Sequence, residues 1–240
     1  MRLPRLSVAN VPQHVIVRGN NSESIFRGHH DCKSYLFFLQ GAAKKYQASV
    51  HAYVLMPNHV HFLISSQLDK GVSRTIQALA RQYVPYFNER YSRSGALFNA
   101  RYRSALVERG DSVLQVYRYI EENPVRAMLC ERLSQYQWSS YQSNALGIGS
   151  PLVKASSEYL ELGDHVEDRC EEYRERLTRP QGTEQLRLIR KQTNRSLFIG
   201  SDTFRKRIEN HFGVCLREKP RGGDRRSKEF RRSCLVNAAV

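Results

Sequence analysis

Apolar and polar residues alternate along Gln13–Arg18 (QHVIVR), the two-residue period of a strand with one buried face. From Asp31 to Tyr46 the period lengthens to that of a helix. Tyr35, Leu36, Leu39 and Ala43 form its apolar stripe and Asp31 stands as its N-cap. Ser49–Met56 and His59–Ser65 are β-rich runs separated only by Pro57-Asn58, which predicts a hairpin. Val72–Tyr91 is helical, with Ile76, Leu79, Ala80 and Tyr83 inward and a kink or stop expected at Pro85. Tyr102–Glu108 reads as a fourth strand. Asp111 or Ser112 then caps a helix running to about Asn123, where Pro124 breaks or restarts it.

The order β-α-β-β-α-β followed by a helix predicts an α+β fold of ferredoxin-like layout: an antiparallel sheet with helices on one face, the other face left for a ligand or a further helix. Helical segments near Ser156–Leu177, Thr183–Gln192 and Asp202–His211 predict an added C-terminal helical lobe. The expected division is a catalytic domain over 1–145, an accessory lobe over 146–216, and a basic tail over 217–240.

Composition narrows the partner. Lys and Arg number 38 against 23 Asp and Glu, a formal charge of +15, while 40% hydrophobic residues suffice for a core. A strongly basic globular chain meets polyanions, nucleic acid first among them. The charge is uneven: Lys154–Arg179 carries 5 basic against 8 acidic residues, and Arg217–Val240 carries 8 against 3 around Gly222-Gly223, the pattern of a flexible basic arm. Apolar runs stop at four or five residues, and residues 1–13 lack the apolar stretch of a secretory signal. Five cysteines without a Cys-x-x-Cys pair fit reduced thiols in the cytoplasm, and no Gly-Lys-Ser/Thr phosphate loop is present.

Two constellations carry chemistry. In Met56-Pro57-Asn58-His59-Val60-His61, the strand period places His59 and His61 on one face with Cα atoms roughly 6.6 Å apart, close enough to converge on one cation. Downstream, Val113, Val116, Tyr117 and Ile120 form a helical stripe that makes Tyr117 core. Tyr119 lies off that stripe, with Asn123 one turn further along the same flank. At pH 7 only ~0.1% of a free phenol is ionised, so Tyr119 needs help as a nucleophile. A cation held by two imidazoles and the Asn123 oxygen keeps positions open for phosphate oxygens and polarises a phosphodiester. Attack by Tyr119 then conserves the bond energy in a phosphotyrosine, which suits cutting and rejoining of DNA.

The Met-Pro-Asn-His59-Val60-His61 run resembles the His-hydrophobic-His motif of single-tyrosine transposases of the IS200-like superfamily. The segments RGNNSESIF (Arg18–Phe26), RYIEENPVRA (Arg118–Ala127) and LGIG (Leu146–Gly149) resemble the branch of REP-associated tyrosine transposases. The likeness extends over about residues 8–145, with a weaker echo in IGSDTF (Ile199–Phe204). It implies a nuclease and strand-transferase acting on single-stranded DNA that folds into REP-like hairpins. It also implies Mg²⁺ or Mn²⁺ as cofactor, His59, His61 and Asn123 as metal ligands, Tyr119 as nucleophile, and a 5′-phosphotyrosine beside a free 3′-hydroxyl. Imidazole ligands sit more comfortably on Mn²⁺ than on Mg²⁺. The branch is monomeric, whereas insertion-sequence cousins exchange the tyrosine helix in dimers.

Arg18, Arg81, Arg101, Arg103 and Arg126 are the candidate phosphate contacts. Tyr83, Tyr86, Phe87 and Tyr91 are as well placed for a core as for stacking on bases. His14 and His51 read as structural histidines, and Trp138 as an anchor for the loop between lobes. An alternative remains a non-catalytic single-stranded DNA or RNA binder on the same sheet, with Tyr53 and Phe62 as its stacking residues. A barrel hydrolase using His-x-His is excluded, because the chain lacks eight βα units.

Overall fold

The computed structural model describes residues 6–99 and 101–216. In chain order the elements are β1 (Gln13–Arg18), α1 (His29–Lys45), β2 (Ala48–Met56), β3 (His59–Ser66), α2 (Gly71–Arg90), β4 (Arg103–Val107), α3 (Asp111–Glu121) and α4 (Asn123–Arg126). There follow α5 (Tyr141–Asn144), α6 (Ser157–Leu160), α7 (Val166–Thr178), α8 (Thr183–Arg195), β5 (Phe198–Ile199) and α9 (Asp202–Phe212). The sheet order is β2-β3-β1-β4-β5. The first four strands pair antiparallel in the ferredoxin-like arrangement, and β5 joins β4 in parallel.

Strand alternation sorts the side chains into two cores, one on each face. Val15, Val17, Val60, Phe62 and Ile64 pack beneath Tyr35 and Leu39 of α1 and Leu79 and Tyr83 of α2. On the other face Val54, Met56, Leu63, Ala105 and Val107 pack against Val113, Val116, Tyr117 and Ile120 of α3. The sheet face opposite α1 and α2 is thus occupied by α3, and the same period that makes Tyr117 core sets the helix's roll.

Local details depart from the sequence reading for identifiable reasons. Asp31 is buried at the third position of α1, not at its cap. Its Oδ2 accepts from the backbone N–H groups of Arg27 (2.7 Å) and Gly28 (3.1 Å), and from the Tyr91 hydroxyl at 2.8 Å. The carboxylate serves the helix start as a cap does, from inside the first turn. Helix α2 runs through Pro85 to Arg90, Tyr83 and Phe87 being fully buried on either side of it; packing outweighs one lost backbone hydrogen bond. Gly110, with φ +89°, precedes α3 in the role expected of Asp111 or Ser112.

Segments after α4 return to the sheet. The backbone N–H groups of Ser140 and Lys154 donate to Tyr53 and Val50 on the outer edge of β2, at 2.9 and 2.8 Å. At the far edge the Glu108 N–H donates to the Ile199 carbonyl at 2.8 Å. The outer edge of β2 and the outer edge of β4 are thereby paired. The chain divides into units Met1–Ile199 and Gly200–Val240, so residues 146–199, expected in an accessory lobe, lie in the unit that holds the sheet. In the second unit Ser201 Oγ accepts from the Phe204 N–H at 3.1 Å to cap α9. The basic tail at 217–240 lies outside the described residues.

Gly71 is required by contact. A Cβ there would lie 2.0 Å from Ser66 Oγ and 2.7 Å from Ser66 Cβ. Ser66 Oγ cannot yield, because it donates to the Tyr46 carbonyl (2.9 Å) and accepts from the Leu68 N–H (3.0 Å). Gly71→Ala is expected to destabilise the fold by about 1–3 kcal/mol, the usual cost of overpacking. Urea unfolding measures it, and a stabilised variant would contradict the packing.

Candidate active site

The strand register builds the site's floor. His59 and His61 of β3 share a face, as do their partners Arg18 and Ile16 on β1, and Ile16 is paired in turn with Arg103 on β4. The two imidazole centroids are 5.0 Å apart. Over them lies the C-terminal half of α3. Tyr119 is buried, its ring edge-on to His61 at 5.8 Å and to His14 at 5.4 Å. The Arg126 guanidinium stacks on that ring at 4.8 Å and donates to the Tyr119 carbonyl. Glu122 holds both Arg118 (2.6 Å) and Arg126 (2.8 Å), which secures the turn between α3 and α4.

Asn123 follows in the same cleft. Its Nδ2 donates to the carbonyls of Tyr119 (2.8 Å) and Ile120 (3.2 Å), and its Oδ1 meets no donor among the described residues. His59 Nδ1 lies 2.6 Å from Asn58 Oδ1, whose Nδ2 donates to the Ser22 carbonyl at 3.2 Å. Asn58 therefore receives the Nδ1 proton and leaves the His59 Nε2 lone pair bare. His61 Nδ1 lies 2.9 Å from His14 Nε2, so its Nε2 is likewise the nitrogen without a partner among the described residues.

Burial, then the charge of Arg18, pulls the His59 imidazole down to about 4. Burial, followed by neighbouring histidines and arginines, holds His61 well below its ordinary value. Both are neutral at pH 7, the form that ligates a cation. Two imidazole nitrogens and an amide oxygen fit a divalent ion whose remaining positions take anionic oxygens. No cluster of three His, Cys, Asp or Glu side chains suited to a metal exists among the described residues, so a third protein ligand would have to come from another side chain such as Asn123.

The cleft encloses about 590 Å³. Of the residues singled out in the sequence, Arg18, His59, His61, Arg101, Arg103, Tyr119, Asn123 and Arg126 all line it. Arg81 does not: it is exposed on α2, which packs on the opposite sheet face. Tyr83 and Phe87 are core, and Tyr53 and Phe62 are buried with α1, so none of the four is available to stack on bases.

The sequence reading missed the wall contributed by α8, where Arg190, Asn194 and Arg195 line the same cleft and Asn194 accepts a hydrogen bond from Arg103. No periodicity signals a contact made across more than eighty residues. His14, read as a structural histidine, is buried and hydrogen-bonded behind the cleft, in contact with His61 and Tyr119. No carboxylate lines the cleft among the described residues, and its several arginines give it a positive lining suited to anionic groups.

Residues 7–123 match the family model of IS200-like transposases, a span that includes all four residues Tyr119, His59, His61 and Asn123 and stops short of α8. No curated protein sequence matches the chain. Among solved structures, a REP-associated tyrosine transposase bound to a REP hairpin is similar at a TM-score of 0.53 and 14% identity, over 65% of this chain and 92% of that one. A candidate transposase from Deinococcus radiodurans R1 is 19% identical over 51% of this chain and 97% of its own, at a TM-score of 0.36. The first of these likenesses is one of fold, that of the REP tyrosine transposases. No helix among the described residues is long and apolar enough to cross a membrane. Strands β1 to β4, the helix that carries Tyr119 and the paired histidines thus lie in the segment, residues 7–123, that matches the IS200-like transposase family model.

Proposed function

We propose that the chain is a metal-dependent transposase that nicks and rejoins single-stranded DNA through Tyr119. The observation that carries the reading is one cleft in which a tyrosine, two neutral imidazoles, a free amide oxygen and several arginines meet with no carboxylate among them. In the attack the Tyr119 oxygen gives up its proton and bonds to phosphorus. The 3′-oxygen of the upstream nucleotide leaves and takes a proton, so the products are a 5′-phosphotyrosine and a 3′-hydroxyl. Re-joining is the reverse, with an incoming 3′-hydroxyl displacing the tyrosine.

His59 Nε2, His61 Nε2 and Asn123 Oδ1 would hold Mg²⁺ or Mn²⁺. When bound, the ion polarises the scissile phosphate and offsets charge developing on its oxygens. Arg18, Arg101, Arg103 and Arg126 seat the strand through its phosphates. Arg126 also fixes Tyr119 from above by its stacking contact. A REP-like hairpin as substrate is supported by the fold shared with a transposase bound to one. A DNA substrate would place the protein at the nucleoid.

The test incubates the full chain with Mn²⁺ and a single-stranded hairpin labelled at its 3′ end. The label is expected to migrate with the protein on a denaturing gel, and chelation is expected to reduce the adduct by roughly 10³-fold, the size of a several-kcal/mol electrostatic contribution. Tight binding with no adduct under any divalent ion would instead identify a binding module.

A further inference from the structure

Strand β1 and helix α8 meet behind the histidine pair. His14 is fully buried and each ring nitrogen has one partner: Nε2 is 2.9 Å from His61 Nδ1, and Nδ1 is 2.7 Å from Thr193 Oγ1. Thr193 is also fully buried, its hydroxyl 2.9 Å from the Ile189 carbonyl one turn earlier in α8. The His14 and His61 rings are nearly parallel, at 19°, with centroids 5.2 Å apart. Four polar groups thus form a line that begins at a backbone carbonyl and ends at a residue of the cleft.

The line has a direction. A carbonyl only accepts, so the single Thr193 proton goes to Ile189, and Oγ1 then accepts from His14 Nδ1–H. His14 Nε2 is left bare and accepts from His61 Nδ1–H, and the lone pair of His61 falls on Nε2. Reversing the chain would place two oxygens 2.9 Å apart with no proton between them and would lose one hydrogen bond of three. It would also put a proton on His61 Nε2, the nitrogen that has to be bare to hold a cation.

We propose that Thr193 and His14 are positioning residues that lock His61 in the Nδ1–H tautomer. The ligand nitrogen is thereby presented by a helix outside the segment that matches the transposase family. The inference rests on the reading of His61 as a metal ligand, and its test separates the two. Asn58 does the corresponding work for His59 from within the hairpin; for His61 the duty has passed to a residue 132 positions later in the chain.

The measurement is long-range ¹H–¹⁵N correlation on the metal-free, ¹⁵N-labelled full chain at pH 7.5, paired with Mn²⁺ titration. His61 of the wild type is expected to carry its proton on Nδ1. Thr193→Val, which cannot accept, is expected to move it to Nε2 and to weaken Mn²⁺ binding by about 10–100-fold, as loss of a ligand's supporting partner does. Thr193→Ser is expected to restore both. A wild-type His61 protonated on Nε2 overturns the relay, as does a folded valine variant with unchanged tautomer and Mn²⁺ affinity. Should the valine variant not fold, the wild-type spectrum decides alone. A wild type with the expected, threonine-dependent tautomer that binds no Mn²⁺ upholds the relay and removes the cation reading.

Discussion

Tyr119→Phe is expected to bind a single-stranded hairpin as the wild type does and to form no covalent adduct, a loss of at least about 10³-fold set by the detection floor. The substitution removes one oxygen and leaves the rest of the packing in place. The ring keeps its edge contacts with His14 and His61 and its place under Arg126. The hydroxyl has no hydrogen-bond partner among the described residues, so its removal leaves no orphaned group, and the change in folding stability should stay within about 0.5 kcal/mol. The gel reports the adduct and urea unfolding reports the fold. A persisting 3′-labelled adduct would show that another side chain attacks, and the assignment of Tyr119 would be abandoned.

The second large effect concerns pH. Glu121, at the end of the helix that carries Tyr119, is 1% exposed. Its carboxyl accepts from the Ser140 hydroxyl (2.5 Å), the Asn144 amide (2.8 Å) and the Tyr173 hydroxyl (2.9 Å). Burial pushes it up from 4.5 to about 7, and the three hydrogen bonds oppose the rise only in part. The folded state therefore prefers the neutral acid more than the unfolded state does. Its contribution is full below pH 4.5 and is lost as pH rises through about 7, a change of about 3 kcal/mol.

Other groups mask this in the wild type. Burial holds His14 at about 3, and His59 lies at about 4, so the unfolded chain takes up those protons first and stability falls with acid below about pH 6.5. Glu121→Gln isolates the carboxyl, because the histidine contributions cancel in the difference. The stability of the wild type relative to Glu121→Gln is expected to drop by about 3 kcal/mol between pH 4.5 and pH 8 in urea titrations. A difference that stays flat across that range would mean the carboxyl is not held neutral by its burial.

What could be read in the chain was what repeats at short range. The two-residue period along β1, β2 and β3 gave the hairpin and put His59 and His61 on one face. The helical period of Val113, Val116, Tyr117 and Ile120 separated a core tyrosine from one on the cleft. These patterns arise from neighbours a turn or a pleat apart, and local geometry enforces them. What could not be read depends on distant pairing. Strand β5 is two residues long and has no period of its own; it exists because Leu106 and Val107 offer it an edge. His14 looks like a core histidine until Thr193 is brought to it across 179 positions. Arg81, a candidate phosphate contact in the sequence, is placed by α2 on the far face.

The order in which the cleft's walls are synthesised has a consequence for the cell. The paired imidazoles, the tyrosine and Asn123 leave the ribosome first, while Arg190 and Asn194 are 67 and 71 residues later. At about 5–20 residues per second the nascent protein spends roughly 3–14 s with the histidine pair, Tyr119 and Asn123 made and one wall still missing. A polypeptide abandoned in that interval would hold the four residues of the proposed chemistry but lack Arg190, Asn194 and Thr193, so under that proposal a truncated product would lack both part of the cleft wall and the partner that fixes His14.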